Sequence, residues 1–190
     1  MNPWAPPADG PRIFGLRLRE PLTLGHVLLL EELGSPILSG GQVAPGDVAL
    51  AVLVVSQPHR DARKAVRSWW APLLMRWWGK RSASEDFDAA ANQFLDWFVE
   101  SIKPPAFWRE AGAQDRECAA PWWINRIALA MGNLGMSYDQ AVDMPAKRLG
   151  QLTMAYSEAR GEVRLVTQRE IEFREIVARI EAEKSAAQRN

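Results

Sequence analysis

The chain is poor in the residues that most often carry chemistry. It has one cysteine, Cys118, and two histidines, His26 and His59. A single thiol cannot close a disulfide or build a thiolate metal site within one chain, and it fits a reducing compartment. Neither histidine has a metal-ligand spacing such as His-Glu-x-x-His. His26 lies in an apolar stretch and reads as a satisfied core residue, whereas His59 follows Pro58 at the start of a basic segment and reads as solvent-facing. Gly40 and Gly41 lack the lysine that would follow them in a phosphate-binding loop. A hydrolase or transferase needs a nucleophile, a base within reach and a group that stabilises developing charge. No such set is visible, so the expectation is no enzymatic activity, no cofactor and no metal.

An excess of either charge is also missing. The 23 lysines and arginines balance 23 aspartates and glutamates, which leaves the chain as a whole no electrostatic case for nucleic acid or an anionic membrane. The longest apolar run, residues 48–55, is far short of the roughly 20 residues that a spanning helix requires. The opening MNPWAPPADGPR has no basic stretch followed by an apolar one, so no secretory signal is expected. These absences predict a soluble, cytoplasmic protein.

What the chain does have is apolar mass. With 47% hydrophobic and 24% charged residues in 190 positions, it is too apolar for general disorder and long enough for one core plus an appended helix. Residues 1–20 begin with a proline-rich extended arm that Trp4 can pin down. Within it residues 12–19, RIFGLRLR, alternate as one short strand would, although without a visible partner.

Residues 21–103 read as a helical domain. Thr23 caps a helix that Gly34 stops, and a loop over residues 35–45 follows. Asp47 reads as the N-cap of a buried segment over residues 48–57 that can be helix or strand. Residues 60–79 form a basic helix that Pro72 kinks or divides. Ser82 and Glu85 stand at capping-box spacing before a helix whose face repeats as Phe87, Ala91, Phe94, Leu95, Phe98 and Ile102. Cations crowd residues 59–81 and anions residues 85–100, so the two helices are expected to attract each other.

Residues 104–120 read as a linker and domain boundary. Residues 121–161 form a small helical unit with a helix over residues 122–134, a short one opened by Ser137, and a long one with Pro145 in its first turn. Each has a narrow apolar stripe that has to be buried against something else. Residues 162–190 are charge-rich, with Val163, Val166, Phe173, Val177 and Ile180 near a and d positions and Glu170 interrupting the seam. The architecture is therefore mainly all-α: a multi-helix domain, a C-terminal extended charged helix and at most one short N-terminal strand.

The nine tryptophans admit several uses. Trp69, Trp70, Trp77 and Trp78 lie on the basic segment, and the seven-residue interval stacks Trp70 with Trp77 on one face. Core or partner-facing positions suit rings of this size. Contact with a bilayer surface or with single-stranded bases would need them exposed. Residues 124–156 can be aligned with a helix-turn-helix, but the segment after Ser137 presents Tyr138, Asp139, Gln140 and Asp143, an acidic set unsuited to reading bases. No nucleic-acid partner is expected.

Trp123-Ile124-Asn125-Arg126, Leu134-Gly135-Met136-Ser137, residues 141–145 (AVDMP) and residues 155–161 (AYSEARG) form a pattern that resembles tail assembly chaperones of tailed bacteriophages and prophages. The resemblance covers about a fifth of the chain. It implies a morphogenesis factor in the bacterial cytoplasm that coats the helical tape measure protein, assists the tail-tube protein to polymerise around it and leaves before the particle is complete. Amphipathic helices, aromatic anchors and methionines are compatible with such a surface. The residues expected to contact a partner are Trp70 and Trp77 of the basic helix, with Trp122, Trp123, Met136, Met144, Leu152 and Tyr156 of the small unit. Self-association through residues 162–184 is a further expectation. The alternatives are a minor structural or connector component of a phage particle and a peripheral membrane protein using the basic tryptophan helix.

Overall fold

The computed structural model describes residues 10–18, 21–69, 71–73, 76, 80, 87–109 and 119–187, and it is mainly α-helical. The chain enters through a hairpin of β1 (Arg12–Ile13) and β2 (Leu16–Arg17). The partner that a single strand lacked is supplied by the chain's own reversal at Phe14 and Gly15, both at positive φ (48° and 78°), the geometry that two-residue hairpins favour. Ile13, Phe14 and Leu18 are buried. The hairpin thus joins the core through these three side chains and is not an extended arm, while Arg12 and Arg17 face outward. Trp4 lies outside the described residues.

Helix α1 (Leu24–Glu32) starts at Thr23, as expected, and the chain turns at Gly34 with φ of 67°. The loop expected next contains one helical turn, α2 (Pro36–Ser39). The ambiguous apolar segment is helix α3 (Pro45–Val55). Asp47 is not its N-cap: it lies inside the first turn and accepts the Ala44 N–H at 2.8 Å, while Pro45 needs no donor there.

Helix α4 (His59–Val66) stops well before Pro72, and the chain is helical again at residues 71–73, 76 and 80. The basic segment is divided, but the break includes residues 67–69 and Pro72 does not make it: Pro72 stands within the helical residues that follow. The expected attraction to the acidic helix takes another form. Arg63 and Arg67 both grip Glu32 at the end of α1, and Arg60 holds Asp143 at 2.7 Å. The Ser82 and Glu85 pair lies outside the described residues.

Helix α5 (Phe87–Ile102) buries Phe94 and Phe98 and half-buries Phe87, Ala91, Leu95 and Ile102, the face its periodicity predicts. Within the segment read as a linker, β3 (Phe107–Arg109) pairs antiparallel with β4 (Val163–Leu165). Between these strands lie α6 (Trp122–Leu134), α7 (Tyr138–Asp143) and α8 (Ala146–Ala159). Gly135 ends α6 in the left-handed conformation. Ser137 and Gln140 then cap α7 reciprocally, the serine hydroxyl accepting the Gln140 backbone N–H at 3.2 Å and the Gln140 side-chain Oε1 accepting the Ser137 backbone N–H at 2.9 Å. Pro145 precedes α8 as its N-cap, and the Ala146 N–H donates to the Leu22 carbonyl at 2.7 Å.

One apolar core joins both sides of residues 104–120. It combines Leu24, Val27 and Leu30 of α1, Val48 and Val52 of α3 and Phe94 of α5 with Trp123 and Ile127 of α6, Ala141 of α7 and Leu149 of α8. The stripes of the small unit therefore close largely on the same chain.

Helix α9 (Gln168–Ala187) is different. None of its described side chains is buried, and it is absent from the main helix packings. Glu170 has a local task rather than a place in a seam. It accepts the Thr167 N–H at 2.8 Å and an Arg164 N–H at 2.6 Å, while its own N–H donates to the Thr167 hydroxyl at 3.3 Å. These bonds, the one from the Thr167 backbone foremost, hold its carboxyl down at about 2. Val163, placed in the same seam by its spacing, belongs to β4.

Candidate functional site

The residues expected to contact a partner fall into three environments. Trp70 and Trp77 lie outside the described residues. Trp123 is buried, and its indole N–H donates to Glu31 at 2.9 Å, tying α6 to α1. Its ring stands edge-on to Trp122 with centroids 5.5 Å apart. The Arg126 guanidinium lies 4.7 Å from the Trp122 ring centre and donates from Nη2 to the Ile102 carbonyl at the end of α5. A cation is favoured at that negative helix end. Burial lowers the Arg126 pKa, and its Nη1 has no hydrogen-bond partner among the described residues.

Met136 and Met144 are half-buried against the core. Leu152 and Tyr156 of α8 are half-exposed, and Tyr156 takes an N–H from Arg160 at 3.3 Å. The expected contacts are therefore mostly engaged with their own chain. Ile124, Leu129 and Met131 of α6 and Tyr138 of α7 are the more open large hydrophobic residues of this unit.

A groove of about 620 Å³ opens between α1, α4 and α7. Arg60, Arg63, Lys64 and Arg67 line one side, Tyr138, Asp139 and Asp143 the other, with Leu28, Leu29 and Val142 beneath. Its cations are largely matched within the chain: Arg63 and Arg67 by Glu32, Arg60 by Asp143, and Lys64 by Asp61. Exposed pairs of this kind are screened by water and salt and add little stability. They orient α4 more than they stabilise it.

His59 forms the inner wall of the groove. Instead of facing solvent, its side chain is 17% exposed and lies 3.5 Å from Asp143. Gly25 makes this possible, since a Cβ there would stand 2.5 Å from the imidazole Cγ. Burial lowers the His59 pKa and Asp143 opposes that shift. Behind it, His26 is buried and nearly perpendicular, with ring centroids 5.9 Å apart. The Thr23 N–H donates to His26 Nδ1 at 3.0 Å, so Nε2 carries the proton and donates to the Gln57 carbonyl at 2.8 Å. His26 thus plays the part of a capping-box glutamine and is the satisfied core residue its surroundings imply. Among the described residues lining the groove no serine, threonine or cysteine stands beside His59 for activation. Groups of histidine, cysteine and carboxylate able to hold a metal are also absent among the described residues.

Comparison of the chain with protein-family models, curated proteins and solved structures finds no match. The site must be judged on its own geometry.

One open apolar surface is on α9. Phe173 is 67% exposed, Ile176 53% and Ile180 44%. Their spacing of three and four places them on one face of the helix. Phe173 and Ile180 belong to the apolar a and d pattern of the sequence, which takes Val177 in place of the more open Ile176. No helix of the described residues is long and apolar enough to cross a membrane.

Proposed function

We propose that the protein is a non-enzymatic morphogenesis factor that lays helix α9 along a helical segment of another polypeptide. The tape measure protein of a tailed phage is the partner that the resemblance to tail assembly chaperones implies, and the tail-tube protein the subunit whose assembly it would assist. The observation that carries the reading is a 20-residue helix with no buried described side chain and with Phe173, Ile176 and Ile180 on one open face. In folded proteins most of a helix's stability comes from packing an apolar face and not from its own propensity. An apolar face of spacing three and four suits helix-to-helix docking. The same face would pair two copies when no partner is present, which accounts for the expected self-association of residues 162–184.

Co-expression with a candidate tape measure protein tests the proposal. The wild-type chain is expected to raise the solubility of that protein and to co-purify with it. A Phe173→Asp, Ile176→Asp double variant is expected to lose the complex while keeping the wild-type thermal transition, because neither side chain supports the core. An unaffected complex, or no complex with the wild type, would defeat the reading.

A further inference from the structure

A second open surface lies on the basic segment. Trp69 is 85% exposed and Leu73 62%, while Ala71 between them turns inward and is 7% exposed. Arg76 and Lys80 are exposed as well, and neither has an ion-pair partner among the described residues. Leu73, Arg76 and Lys80 stand at helical positions, and their intervals of three and four are those of one helix face; Trp69 stands in the turn just before them. From residue 62 to residue 84 the sequence contains six cations and no acid, in a chain of zero net charge. The cations of α4 are matched by Glu32, Asp61 and Asp143, so the local excess resides in the part that follows Trp69.

We propose that this face docks on the surface of a bilayer carrying anionic headgroups. Indole rings settle at the headgroup level, where one end is apolar and the other is wet, and an adjacent leucine reaches the acyl boundary. Arginine and lysine on the same face meet lipid phosphates, each contributing about fivefold in binding at an anionic surface. The segment is too short to span the bilayer, so the contact is lateral and reversible. A single-stranded nucleic acid fits less well, because Leu73 offers no stacking plane and the cations do not track a backbone.

Flotation with phosphatidylcholine vesicles, with and without phosphatidylglycerol, tests the proposal on the full chain. The wild type is expected to float with the anionic vesicles and to stay behind with the neutral ones. Trp69→Ala with Leu73→Ala is expected to lower the bound fraction by about tenfold or more, from the apolar area those two side chains bury. Arg76→Gln with Lys80→Gln is expected to weaken flotation and its salt dependence. Both pairs of substitutions lie at exposed positions, and an unchanged thermal transition verifies that the fold is intact. No flotation, equal flotation on neutral vesicles, flotation untouched by the tryptophan and leucine changes, or capture by an oligothymidine resin in place of vesicles would overturn it.

Discussion

Phe94→Ala is expected to lower the free energy of unfolding by about 3–5 kcal/mol. Phe94 is fully buried on α5, with Trp97 and Phe98 rings centred 6.1 and 6.0 Å away. Its helix packs against α3, α8 and β1, so a cavity at this point opens between elements remote in sequence that cannot easily collapse together. The loss combines transfer of the ring to water with dispersion contacts that the surroundings no longer make. Val99→Ala on the same helix, at a position 55% exposed, should change stability by no more than about 0.5 kcal/mol. Urea denaturation of both variants measures the contrast. A Phe94→Ala loss below about 1 kcal/mol would mean that α5 is not part of the core as described.

The second large effect is a dependence on pH that runs through His26. Burial, opposed by the bond to Gln57 and helped by the neighbouring His59, pushes its pKa from 6.5 down to about 4. A histidine depressed in the folded state takes up its proton more readily when unfolded. Its contribution is therefore complete above pH 6.5, declines as the pH falls, and is lost near pH 4. The size is about 3 kcal/mol, since each pKa unit corresponds to about 1.4 kcal/mol. Protonation at Nδ1 would also turn the acceptor of the Thr23 N–H into a donor, so the start of α1 should open first. Unfolding free energies measured between about pH 7.5 and about pH 4.5 should fall steeply in the wild type and much less in His26→Gln, whose stability is lower at the outset. Parallel curves for the two proteins would contradict the assignment.

Much of the fold is legible in local signals. Thr23 and Gly34 bracket α1, Gly135 and Ser137 divide α6 from α7, and the aromatic periodicity of α5 identifies its buried face. What escapes a linear reading is pairing across distance. The β3 strand finds β4 more than fifty residues later, and nothing in the sequence of residues 107–109 singles out that partner. The Arg63 and Arg67 pairs with Glu32 depend on the approach of α4 to α1, which no charge pattern along the chain encodes. The basic neighbours of His59 imply an exposed ring, whereas the missing side chain at Gly25 provides room for it inside.

The candidate surfaces show the same division. The helices of the small unit have narrow apolar stripes, and those stripes meet α1 and α5 of the same chain. Trp123 is accordingly an internal anchor rather than an open one. Glu170 illustrates the opposite difficulty: a charge that interrupts an apolar seam is also a charge three residues after a threonine, and the capping geometry claims it. Phe173 and Ile180 were visible as a periodic pattern, but only the structure places them outside the core.

The central claim is that α9 gains its stability from another polypeptide and not from its own chain. Amide hydrogen exchange resolved along the chain tests it most directly, on the monomer at low concentration and again with the co-purified partner. The account predicts rapid exchange over residues 171–187 in the monomer, well below the protection of α1 and α3, and marked slowing over the same residues in the complex. Core-level protection of α9 in the isolated monomer, or no gain on complex formation, would contradict it.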